Sequence, residues 1–129
     1  MNGQTQRVVV SDRARPVYAP APLTQGQIET EIMRLADMLE TVTDQLAKAC
    51  EESAAAEVSW KCNEATAMLS SEQKSAELRK AEALTRCRRE FAAHRGAEAV
   101  RDGLTEKCRT LRAQLDSLRT LSANVRAQA

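Results

Sequence analysis

From Ile28 onward, apolar or small residues fall at alternating steps of four and three: Ile28, Ile32, Leu35, Leu39, Val42, Leu46, Ala49, Ser53, Ala56, Trp60, Asn63 and Ala67. A stripe that keeps this rhythm for forty residues runs straight along one side of a slightly underwound helix, as in a coiled-coil seam. Strands alternate with a period of two and cannot bury such a set on one face. The rhythm therefore predicts one helix over about 24–69, roughly 70 Å long at ~1.5 Å per residue. Thr24, with Gln27 three residues later, approximates a capping box at its start. A helix of that length has no core of its own and needs a partner along its length.

The second half of the chain supplies that partner. Ser70, Ser71 and Ser75 mark a turn at about 70–74, and a return helix is expected over about 75–126. Leu78, Leu84, Cys87 and Phe91 lie near one stripe, and Leu104, Cys108, Leu111, Leu115, Leu118, Ser122 and Val125 form a clearer one. Phe91 and Val100 are nine residues apart, about half a turn out of phase. With Gly96 and Gly103 beside this slip, the return helix is expected to kink or split near 94–103. The fold class expected is all-α, a long antiparallel coiled-coil-like hairpin. Its helix–helix or oligomer interface is formed by Ile28, Ile32, Leu35, Leu39, Val42, Leu46, Trp60, Leu104, Leu111, Leu115, Leu118 and Val125. Asn63, at a seam position, either fixes register as a buried amide or is solvated near the helix end. Because two helices bury little apolar area, a homo-oligomer is expected. Aromatic residues make up only 2% of the chain, which argues against a multilayer core.

Residues 1–23 are different: they hold all three prolines, including "RPVYAPAP", and no helical period. They are expected to form a disordered N-terminal arm, with Tyr18 the anchor if it is a tether and "VVV" at 8–10 able to add to a sheet edge. No secretory leader and no membrane-spanning run is expected. Cys50, Cys62, Cys87 and Cys108 are widely spaced with no CxxC pair, so neither a zinc site nor any cofactor is expected. Reduced thiols and a cytoplasmic setting follow. His94 has no nucleophile or carboxylate at motif spacing, which points away from an enzyme.

The net charge of +1 hides an asymmetry. Residues 1–23 carry +2, residues 24–74 carry −6 and residues 75–129 carry +5. Arg112, Arg119 and Arg126 fall at heptad position e beside the return seam, and Glu29, Glu57 and Glu64 at e in the first helix. A hairpin folded about 70–74 would bring Glu29 close to Arg112, so ion pairing is one use for these arginines. The densest positive stretch is "RCRREFAAHRG" at 86–96. Arg86, Arg88, Arg89, Arg95, Arg101 and Arg109 are the candidates for non-specific contact with a nucleic-acid backbone. Phe91 is the one aromatic nearby, and it reads better as core than as a base-stacking platform.

Two stretches, "EVSWKCNEATAMLSSEQKSAELRKAEAL" at 57–84 and "LRAQLDSLRTLSANVRA" at 111–127, resemble a group of small helical proteins of tailed phages. The resemblance covers about four fifths of the chain. It implies a protein encoded among phage replication and recombination genes, acting in an infected or lysogenic bacterial host. It transfers no functional residue. The function expected is a non-enzymatic oligomeric accessory protein of phage DNA replication or recombination with weak phosphate contact. Its partners would be phage recombination or replication proteins, a host protein, or DNA. The alternative is a protein–protein module without nucleic acid, either a modulator of a host protein or a small assembly or virion component.

Overall fold

A computed structural model describes residues 23–128 of the chain, so the expectations for residues 1–22 lie outside the described residues. Three helices follow one another: α1 over Gln25–Ser70, α2 over Ala76–Arg86 and α3 over Arg88–Gln128. No strand occurs among the described residues. α1 packs against both α2 and α3 as the outgoing arm of an antiparallel hairpin. Near the free end Gln25 Nε2 donates to Ser122 Oγ at 2.8 Å, and near the turn Arg86 Nη1 donates to Ser70 Oγ at 3.2 Å.

Local chemistry sets the ends. Thr24 Oγ1 accepts from the Gln27 N–H at 3.1 Å while Gln27 Oε1 accepts from the Thr24 N–H at 2.9 Å. That reciprocal pair satisfies two N-terminal donors of α1. The connection at 71–75 needs no glycine or proline. Ser71 Oγ accepts from the Gln73 N–H, Ser75 Oγ caps α2 at the Leu78 N–H, and Arg79 Nε donates to the Gln73 carbonyl at 2.7 Å.

The seam divides into two apolar clusters. Toward the free end, Leu35 and Val42 of α1 meet Cys108, Leu111 and Leu115 of α3, with Ile32, Met38, Leu39, Leu46, Leu104 and Leu118 half-covered around them. Ile28 is fully buried one turn beyond, and Val125 is half-buried. Near the turn, Ala67, Ala83 and Cys87 form a smaller cluster flanked by Trp60 and Met68.

Four expectations need correction. First, α3 runs unbroken through 94–103; the break is earlier, at Cys87, whose φ of −99° and ψ of 19° leave the helical range. No phase slip exists, because Cys87, His94, Arg101, Cys108, Leu115 and Ser122 follow at strict seven-residue intervals. The seam is polar in its middle, so counting apolar residues alone passed over His94 and selected Val100, which is exposed. Second, Leu78 and Leu84 are exposed, and α2 instead buries the small Ala83. Small side chains there let α2 approach α1 closely. Third, the stripe expected to pass through Asn63 runs through Glu64 instead: Glu64 is half-buried and Asn63 is exposed, the solvated one of its two readings, so past Trp60 the covered face of α1 turns by one residue. Fourth, Glu29 is not level with Arg112. Gln25 meets Ser122, so Glu29, one turn on, lies at about the level of Leu118. Arg112 is six residues, or about 9 Å, further along. Glu29 Oε2 accepts instead from Gln25 Nε2 at 2.9 Å.

Candidate phosphate-binding flank

The unbroken register of α3 determines which arginines share a surface. With His94, Arg101, Cys108, Leu115 and Ser122 at a, Arg88, Arg95 and Arg109 occupy b, and Arg112, Arg119 and Arg126 occupy e. Positions b and e are only about 50° apart around a coiled-coil helix. All six arginines are exposed, so they line one flank of α3 over about 57 Å. Arg112, Arg119 and Arg126, expected to serve the seam, thus extend the basic row instead of pairing across it. Every ion pair among the described residues joins groups of one helix: Arg95 with Glu98 at 3.7 Å, Arg119 with Asp116 at 3.5 Å, and Arg109 with Glu106 are those on this flank. Such exposed pairs are worth tenths of a kcal/mol and exchange readily with a stronger anion. Asp102 and Asp116 also lie at b, so the flank is interrupted by negative charge.

The other three candidates are placed differently. Arg101 is a seam residue, half-buried, held by Asp102 at 3.1 Å and Glu98 at 4.0 Å. Arg86 ends α2 and is tied to Ser70 and, at 3.9 Å, to Glu82. Arg89 is exposed but sits at c, turned away from the flank. Around the α2–α3 break, Arg86, Arg88 and Arg89 surround an open concavity of about 560 Å³ together with Glu90.

Beside this flank, the middle of the seam is built from aromatic and titratable side chains. Ala49, Ser53 and Ala56 keep α1 thin at the level where α3 carries His94, Glu98 and Arg101. The His94 ring stacks on Trp60 with centroids 5.2 Å apart and planes 17° apart, and Phe91 meets Trp60 edge-on at 4.9 Å. Lys61 Nζ lies 4.4 Å from the centroid of the same indole. Both rings thus serve the interior, leaving the arginine flank without a base-stacking platform. His94 Nε2 is 3.4 Å from Glu98 Oε1. The buried Trp60 Nε1, Glu90 Oε1 and His94 Nδ1 have no hydrogen-bond partner among the described residues. Burial pushes the Cys87 thiol pKa up, and the Glu90 and Glu64 carboxylates push it further, against a smaller lowering by Arg86. His94 was legible as the residue seven before Arg101 and seven after Cys87, a signal that polarity masked.

Cys50 and Cys62 are exposed while Cys87 and Cys108 are buried, and all four are free. Among the described residues no group of three or more His, Cys, Asp or Glu side chains could hold a metal ion. None of the described helices is long and apolar enough to cross a membrane. Comparisons with protein-family models, curated proteins and solved structures return no match for this chain.

Proposed function

We propose that this chain is a non-enzymatic helical accessory protein of phage DNA replication or recombination, in which the arginine flank of α3 holds a nucleic-acid backbone without reading its sequence. The observation that carries this reading is the alignment of Arg88, Arg95, Arg109, Arg112, Arg119 and Arg126 on one exposed flank. Guanidinium groups in a row bind phosphates through charge-assisted hydrogen bonds and release counterions, a sequence-independent source of affinity. The aromatic side chains being committed to the seam fits contact with backbone and not with bases.

The test is a salt titration of binding to single-stranded and duplex DNA. The triple variant Arg88→Glu, Arg112→Glu and Arg126→Glu changes residues outside the core. It is expected to weaken binding by more than tenfold and to flatten the salt slope by about one unit per lost contact. No binding by the unaltered chain at ~50 mM salt, where phosphate contacts are strongest, would remove the DNA part of the reading.

A second reading, a protein–protein module acting on a phage or host protein, is favoured by the acidic residues on the same flank. Asp102 and Asp116 alternate with the arginines, a mixed pattern suited to a charged protein surface. It predicts that the triple variant loses a protein partner although the unaltered chain never retained nucleic acid.

A further inference from the structure

The concavity at the α2–α3 break belongs neither to the seam nor wholly to the arginine flank. Thr85, Arg86, Arg88, Arg89, Glu90 and Ala92 line it, and it encloses about 560 Å³. That lies within the roughly 300–1,000 Å³ common to small-ligand sites. In an unbroken helix Arg86 and Arg88 would point about 160° apart. The departure of Cys87 from helical geometry, at φ −99° and ψ 19°, brings them round one hollow.

The charge of this hollow is uncompensated. Three arginines and one glutamate give it +2. Arg88 and Arg89 join no ion pair with a carboxylate among the described residues. Arg86 reaches Glu82 only at 3.9 Å, and its Nη1 donates to the neutral Ser70 hydroxyl at 3.2 Å. Glu90 makes no ion pair with the three, and its Oε1 is buried where no described group meets it. The Thr85 hydroxyl already donates to the Ala81 carbonyl at 3.0 Å, so the guanidinium groups are the donors left for a ligand. Like charges crowded together repel one another unless an anion sits among them.

The anion that matches this balance is a phosphomonoester. It carries about −1.5 to −2 at neutral pH and offers three acceptor oxygens, whereas a phosphodiester inside a strand carries one negative charge. We infer that the hollow holds the terminal phosphate of a nucleic-acid strand whose backbone continues along the α3 flank. Arg88 belongs both to the hollow and to the flank, so a strand seated by its end runs on past Arg95. The inference rests on the flank reading above and adds to it a preference for strand ends.

The experiment measures binding of the full chain to one oligonucleotide in three forms: unphosphorylated, 5′-phosphorylated and 3′-phosphorylated. A terminal phosphate on one end is expected to tighten binding at least tenfold. Arg86→Gln with Arg89→Gln changes two exposed residues that lie off the flank, so helicity by circular dichroism should stay as it is. The pair is expected to abolish the gain while the unphosphorylated strand stays within about threefold of its former affinity. Equal binding of all three forms overturns the inference and leaves the flank reading standing, whereas binding of none removes both. A gain that survives the double variant also overturns it. So does inorganic phosphate, or a phosphoserine peptide, that binds as tightly as the phosphorylated strand.

Discussion

His94 and Cys87 occupy equivalent seam positions one heptad apart, yet burial affects them in different ways. The thiol is a weak donor and acceptor that packs as a small apolar group. The imidazole brings Nδ1 into a place where no described residue meets it. A buried polar atom without a partner costs about 1–3 kcal/mol. His94→Leu is therefore expected to raise stability by about 1 kcal/mol, read as the urea midpoint, and to change Trp60 fluorescence by removing the stacked ring. Glu98 is not stranded by this change, since Arg95 and Arg101 lie within 4.0 Å of it. For the cysteines, pulse labelling with a thiol reagent followed by mass spectrometry should modify Cys50 and Cys62 first, and Cys87 and Cys108 only on unfolding. Because burial and the Glu90 and Glu64 carboxylates raise the Cys87 pKa in the folded state, its contribution to stability is fully present below the ordinary thiol value of 9.0. It is lost as pH rises from there through the raised folded value. Denaturation midpoints measured on either side of that range, compared with Cys87→Ala, would show this slope.

At the scale of elements, the caps and the seam were legible and the break was not. The Thr24–Gln27 box is a contiguous signal, and Thr24→Ala should cost about 1 kcal/mol, read by thermal melting. Leu115, almost fully buried between α1 and α3, should cost about 2–5 kcal/mol when changed to Ala. The break at Cys87 has no local cause: no glycine or proline is near it, and the Cys87 N–H still bonds the Ala83 carbonyl at 2.9 Å. It coincides with the level at which α1 replaces small seam residues by Trp60, so the bend belongs to the fit between two helices. Gly96 and Gly103, whose helix propensity favours a kink, are accommodated in a continuous helix because packing on both sides of them outweighs about 1 kcal/mol of propensity each.

For the whole molecule, the opposite charges of the two arms act through space, since no ion pair among the described residues crosses the seam. α1 is acidic along its length and runs antiparallel alongside a basic α3, an attraction that salt screens within about 10 Å at ~0.1 M. Raising salt from low concentration should therefore lower the melting temperature by a few degrees before any stabilising effect of crowded ions sets in. The same experiment on the Arg88→Glu, Arg112→Glu and Arg126→Glu variant should show a smaller dependence, because α3 then contributes less positive charge.

The sequence alone determined that the chain over the described residues is helical, where α1 starts and turns back, and which apolar positions form most of its seam. Those properties depend on local periodicity and capping, which neighbours in sequence report directly. Only the tertiary structure decided the register between the arms, the site of the break, the polar layer of His94, Glu98 and Arg101, and which arginines share a flank. Each of these depends on side chains more than one turn apart meeting across the hairpin. A shift of six residues there changes every partner while leaving the period of each helix untouched.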